Sequence, residues 1–354
     1  MLKRLTPIVA LFSSLLLPLT IPTKSLAQTL TQFVSGLFLP TGVTVDLNNN
    51  VYVVSDSGLS AIVSKFADNG VFLAQAPIGG ITVGYQGKLA TNSVTGQIFF
   101  LAPNGQILLI NPASGAVTPL VDLHAIAIDT SSILDIASGK VDNFGGILGL
   151  TSFFNYGDIA VFQRQNNILD LFVTGTSQAQ AFPFVMRLRF QNNTLVQAKV
   201  IASSRASTAG SYNIESGIAV NNRGTVFTTL PIPAGNPAFG NYTVPVAFGA
   251  DFDQTSSTSD DPRIVLNGIG LSTKGMTSDA AGNFYVAGSS VGSTIGGIAA
   301  GSGGLYIFPP TLDSAIAAIP VGGLRGTSDV AVNPAGDRVY VTNSNSNSVI
   351  LIRR

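Results

Sequence analysis

Gly42-Val43-Thr44-Val45-Asp46, the turn Asn48-Asn49-Asn50 and then Val51-Tyr52-Val53-Val54 decide how this chain folds. Two short runs of β-branched and aromatic residues flank a turn made of residues that tolerate positive φ and bond to their own backbone, which is the pattern of a β-hairpin. The phrase returns as Leu89-Ala90-Thr91-Asn92 with Ile98-Phe99-Phe100-Leu101, and as Asp158-Ile159-Ala160-Val161-Phe162 with Leu169-Asp170-Leu171-Phe172-Val173. Further on it reads Gly217-Ile218-Ala219-Val220-Asn221 with Val226-Phe227, Gly275-Met276-Thr277-Ser278-Asp279 with Phe284-Tyr285-Val286, and Asp329-Val330-Ala331-Val332-Asn333 with Val339-Tyr340-Val341. Aligned on Val43, Leu89, Ile159, Ile218, Met276 and Val330, the copies are 46, 70, 59, 58 and 54 residues apart. Self-similarity at a period of about fifty marks a propeller or a solenoid.

Two more strands complete each unit. In the first copy these are Ile62–Phe66 and Val71–Leu73 across Asp68-Asn69-Gly70; in the second, Ile107–Ile110 and Val117–Leu120 across Pro112-Ala113-Ser114-Gly115. Six units of four short antiparallel strands predict an all-β, six-bladed β-propeller. After Val330 only three strands can be drawn, so the segment Gln32–Phe38 is expected to supply the fourth and close the ring. A flat solenoid would leave that edge exposed. Two segments depart from the plan. Residues 122–157 are too long for a bare connection and predict a helix or an extra hairpin over one face, and Gly288–Gly304, built from Gly, Ser and Ala, reads as a loop.

Residues 1–27 read as a secretory signal peptide: Lys3 and Arg4, an apolar stretch from Leu5 to Pro22, and Ser25-Leu26-Ala27 as a small-residue cleavage site. The mature domain is then 28–354, exported to the periplasm or the extracellular space, with no membrane span after cleavage. The chain has no cysteine, so no disulfide framework supports it. Without the leader, 15 basic residues face 18 acidic ones, a net charge of −3 that argues against nucleic acid or anionic lipid as a partner. Charged residues make up 10% of the chain, well below the usual ~25%. Nothing in the sequence calls for an oligomer, and a monomer is expected.

The run Gly42–Phe66, with Asp46, Asn50, Tyr52, Val53 and Asp56-Ser57-Gly58, resembles the NHL repeat, as does Asp329–Ile352, with Asn333, Gly336, Tyr340, Val341 and Asn343-Ser344-Asn345. The chain is also similar, more weakly, to the gluconolactonase/senescence-marker propellers. The first likeness implies a binding scaffold; the second implies a divalent-metal lactonase whose metal is held by an early Glu with a later Asn and Asp. Here Leu39-Pro40-Thr41-Gly42 carries no Glu at the corresponding place. The only glutamate is Glu215, in Glu215-Ser216-Gly217.

Residues just before each innermost strand surround the axis of a propeller. Here they are Thr41, Lys88, Asp158, Glu215 with Ser216, Lys274 and Asp329, a concentration of charge in a chain that has little. Blades two and five lie opposite each other, as do three and six, so Lys88 faces Lys274 and Asp158 faces Asp329. These five charged residues, Lys88, Asp158, Glu215, Lys274 and Asp329, are the candidate ligand-binding positions at the channel mouth, for a protein or a small polar ligand. A calcium site would draw on Asp158, Glu215, Asp329 and Asn343, with Asp56 as a further donor, since calcium takes about six to eight oxygens. The competing expectation is that the carboxylates simply pair with Lys88 and Lys274. His124 is the sole histidine and sits among Leu123, Ala125, Ile126 and Ala127, which read as a buried strand, so neither a zinc site nor a Ser-His-Asp triad is expected. Asp251, Asp253, Asp260 and Asp261 read as a solvated loop. The function expected from the sequence is a non-catalytic binding scaffold. The alternatives are a calcium-dependent lactonase or esterase and an accessory protein of an exported biosynthetic pathway.

Overall fold

The computed structural model describes residues 29–354 apart from 82, 84–85, 132, 136–139, 143–146, 149–153, 178–181, 204–216, 232–242, 252–262, 265–269, 292–297, 300–301, 313–316 and 322–326. The expected leader and Glu215 lie outside these residues. The described chain forms six antiparallel blades. Blade one is Gly42–Val45, Val51–Asp56, Ala61–Phe66 and Phe72–Ile78, and blade two is Lys88–Thr91, Ile98–Leu101, Gln106–Ile110 and Val117–Asp122. Blade three is built on Phe154–Gln163, Ile168–Ser177, Phe182–Gln191 and Thr194–Ser203. Blades four and five open with the innermost strands Ile218–Val220 and Gly270–Ser278. Blade six comprises Thr327–Val332, Arg338–Asn343 and Ser348–Arg353.

Closure follows the expected route. The N-terminal strand Thr29–Ser35 pairs antiparallel with Ser348–Arg353 and becomes the outer strand of blade six. It begins three residues earlier than the sequence-based bounds. The six innermost strands touch their neighbours in order, and the strand of blade six returns to that of blade one. This makes a ring and excludes the flat solenoid.

Each seam between blades holds its own apolar core. Val43, Val53 and Ala331 meet Tyr340 between blades six and one, while Leu89 and Phe100 meet Tyr52 and Val54 between one and two. Phe172 and Val185 pack on Ile218 and Val246 between three and four, and Ala219 and Phe227 pack on Met276 and Phe284 between four and five. Side chains of an innermost strand alternate between the seams on its two sides, because successive residues of a strand point to opposite faces. The free edge of that strand, its backbone, is left facing the axis. Gly42, Gly217 and Gly275 let neighbouring inner strands approach there: a Cβ on Gly275 would lie 2.3 Å from Asp329 Oδ1, and one on Gly42 2.6 Å from the Gly87 carbonyl.

The extra hairpin expected within 122–157 is present among the described residues: Ile133–Asp135 pairs with Lys140–Asp142 and extends the outer edge of blade three, where Ile133–Asp135 runs parallel to Thr194–Ser203. Two other expectations need correction. Residues 288–304 are less of a loop than their composition predicts. Gly288 and Ser289 pair with Gly304 and Gly303, and Ile298 is buried against the seam of blades four and five. Glycines fit here because Ile298 packs over Gly304, where a Cβ would fall 2.4 Å from its Cδ1. Finally, Leu123 and His124 form a turn, not a strand. The His124 N–H donates to Asp122 Oδ1 at 2.9 Å, and its ring stands edge-on to Tyr156.

Candidate functional site

The hairpin phrase places the same chemistry at the axis six times. Position one of each copy is Val43, Leu89, Ile159, Ile218, Met276 or Val330, and the residue before it is Gly42, Lys88, Asp158, Gly217, Gly275 or Asp329. At position one the backbone N–H points to the axis, and two carboxylates collect five of these six donors. Asp158 Oδ1 accepts from Ile159 N at 2.8 Å, and its Oδ2 accepts from Ile218 N at 2.9 Å and Met276 N at 3.4 Å. Asp329 Oδ1 accepts from Val330 N and Oδ2 from Val43 N, both at 2.9 Å. One aspartate therefore joins blades three, four and five, and the other joins blades six and one. A sheet edge buried at the axis needs partners for its donors, and the two carboxylates supply them.

Lys88 completes the cluster. Its Nζ donates to the Lys274 carbonyl across the axis at 2.8 Å, so the pair expected to face each other does so. Lys88, Asp158 and Asp329 are all buried, at 5%, 1% and 2% exposure, and form a buried floor at the axis. Burial raises the Asp158 carboxyl to about 6, against the pull of Lys88 and the three N–H groups. Asp329 is raised well above the ordinary carboxylate value, by burial first and also by the Asp158 charge, with Lys88 opposing. Burial, with the Lys88 charge, lowers half-buried Lys274 to about 8.

Calcium does not fit the described part of the proposed ligand set. The oxygens of Asp158 and Asp329 are occupied by backbone donors. Asn343 Oδ1 accepts from Ser346 N at 3.2 Å, capping the short 3-10 turn Ser344–Ser346, and Asp56 Oδ1 accepts from Gly58 N at 2.7 Å. Among the described residues no group of three or more His, Asp or Glu gathers to hold a metal. Of the aspartates at 251–261, Asp251 is described. It bonds Arg164 at 2.7 Å and, with buried Asp170, belongs to an ion-pair network that also includes Arg189.

The turns after the inner strands repeat as well. Asp46, Asn92, Asn221, Asp279 and Asn333 each cap the hairpin with a side-chain oxygen; Asp46 Oδ1, for one, accepts from Asn48 N and Asn50 N at 2.8 Å. Tyr52 and Tyr285 donate their hydroxyls to the acids of their own hairpins, and burial raises both phenols. These capping residues are parts of the scaffold.

Between floor and turns the axis opens into a cavity of about 320 Å³. All six inner strands line it, from Val43, Leu89, Ile159, Ile218, Met276 and Val330 up to a rim that includes Leu47, Ser93, Val94, Gln163, Asn222 and Ala280. The open space thus lies on the turn side of the charged ring. Sequence reasoning did not find it because its wall is largely backbone, which leaves no residue-type signature. The available signal was the exposed apolar Leu47 and Val94 beside capping residues.

No protein-family model matches the sequence, and no curated protein matches it. Solved structures do. A luciferin-regenerating enzyme superposes with a TM-score of 0.54 at 11% identity, over 92% of this chain and 95% of the other. A putative gluconolactonase gives 0.51 at 12% identity, over 93% and 92%. The β-propeller domain of Cps50 (Swd1) from Myceliophteria thermophila gives 0.53 at 9% identity, over 92% and 99%. At such identities the likeness shows the fold alone: this is a six-bladed β-propeller whose neighbours carry both enzyme and non-enzyme names.

Proposed function

We propose that the chain is an exported, non-catalytic propeller, a scaffold of NHL type that binds a small ligand or a protein along its axis. The observation that carries this is the capture of five axial N–H groups by Asp158 and Asp329. Carboxylates so engaged hold blades together and are poorly placed to ligate a cation or act as a general base. Export rests on the leader-like residues 1–27, and the scaffold reading on the hairpin phrase itself. The test is a thermal melt of residues 28–354 after chelation and again with excess calcium, alongside an assay of lactone hydrolysis. Saturating a native-state site a hundredfold over its dissociation constant stabilises by about 2.7 kcal/mol, a visible shift. An unchanged melting temperature and no turnover are expected. A calcium-dependent rise together with hydrolysis would replace the scaffold by the lactonase alternative.

A further inference from the structure

The alternation of an antiparallel strand assigns a direction to every backbone group along the cavity. Asp46 N donates to the Asn50 carbonyl, Asn92 N to Gln97, Asn221 N to Thr225, Asp279 N to Asn283 and Asn333 N to Arg338, all at 2.8–3.0 Å, so these residues turn their N–H groups into their own blades. In blade three Arg164 N does the same toward Ile168. Residues of the opposite parity turn theirs to the axis. They are position one, five of whose six donors meet the carboxylates, and two residues further on Val45, Thr91, Val161, Val220, Ser278 and Val332. A second tier of backbone donors and acceptors therefore faces the axis about 6.8 Å above the first. This tier lines the cavity, with Thr44 and Thr277 hydroxyls nearby.

Among the described residues the cavity has hydrogen-bonding groups of both kinds and no free counter-charge on its wall. There the one ionisable residue is Asp279, whose oxygens take the Asn283 backbone and side-chain amides and the Tyr285 hydroxyl at 2.8–2.9 Å. A charged guest would be desolvated there without a partner. At the rim Leu47 and Val94 are 45% and 66% exposed beside the opening, an apolar surface at the entrance. The volume of about 320 Å³ lies at the small end of ligand pockets, which run from roughly 300 to 1,000 Å³.

We propose that this channel binds a small uncharged molecule bearing both a hydrogen-bond donor and an acceptor on an apolar frame, admitted at the turn-side rim and not from the Lys88–Asp158–Asp329 end. The proposal deepens the binding role above and rests on it.

The probe is ε-caprolactam, a cyclic amide with one N–H, one carbonyl and a hydrocarbon ring. Its binding is followed by saturation-transfer NMR, with hexanoate as the charged counterpart. Ser93→Trp and Ala280→Trp place bulk on opposite sides of the rim, at exposed turn positions that belong to none of the seam cores. Caprolactam binding is expected to be saturable, not displaced by hexanoate, and about tenfold weaker in either variant, which corresponds to about 1.4 kcal/mol. Circular dichroism confirms that a variant is folded, and either one suffices. No saturable transfer to caprolactam, transfer unchanged in a folded rim variant, or equal binding of hexanoate overturns the proposal. ε-Caprolactone, of nearly the same shape, is presented in parallel. Its hydrolysis would overturn the non-catalytic role without touching the caprolactam result, so the two failures are told apart.

Discussion

Asp158→Ala tests most directly what the axial carboxylates do. The substitution leaves the N–H groups of Ile159, Ile218 and Met276, from three different blades, without their acceptor in a site where Asp158 is 1% exposed. At roughly 1–3 kcal/mol for each buried donor left unmade, the two short bonds alone account for about 2–6 kcal/mol. Lys88 also loses a nearby opposite charge. Such a loss is a large part of the ~5–15 kcal/mol by which domains are stable. Urea unfolding followed by tyrosine fluorescence suits a chain with eight tyrosines and no tryptophan. The midpoint should fall sharply, while Asp158→Asn, which keeps one acceptor oxygen, should lie between the variant and the wild type. A midpoint unchanged in Asp158→Ala would refute the role of the carboxylate as a tie between blades. So would calcium stabilisation of the wild type that the variant lacks.

The same carboxylate sets a pH dependence. Because burial raises Asp158 from 3.8 to about 6, the folded state binds its proton more tightly than the unfolded chain. The stability this group contributes is full below pH 3.8 and is lost as pH rises through 6. Melting temperatures from pH 4 to 7.5 should show this decline, and Asp158→Asn should lessen it, the remainder coming from Asp329, which burial raises in the same sense. Lys274 acts in the opposite sense: with its folded value lowered from 10.5 to about 8, stability should climb between pH 8 and 10, a slope that Lys274→Met removes in the same melts. Gly275→Ala puts a methyl against Asp329 Oδ1 and Cα, at 2.3 and 2.5 Å, and should cost about 1–3 kcal/mol of overpacking in urea unfolding. Asp170→Ala removes the buried carboxylate of the network and leaves Arg164 and Arg189 to the more exposed Asp251, and should cost about 1.5–3 kcal/mol, lowering the thermal midpoint.

The hairpin phrase was enough to fix the architecture, for a local reason. Val43–Asp46 and Val51–Val54 alternate across a turn that Asp46 caps within four residues, so the unit is specified by neighbours in sequence, and counting its copies counts the blades. Closure by the N-terminal strand was equally legible, because three strands after Val330 leave one place to fill. The candidate residues were legible as types. Lys88, Asp158 and Asp329 do meet at the axis, and Lys88 does reach Lys274.

What those residues do there was decided only by tertiary structure. The partners of Asp158 lie 60 and 118 residues away at Ile218 and Met276, and Val43 lies 286 residues from Asp329; no local pattern says that an inner-strand N–H will be waiting for each oxygen. The cavity escaped the sequence for a related reason. Its wall is the free edge of six strands, built from peptide groups that every residue carries, and it exists only once the ring has closed.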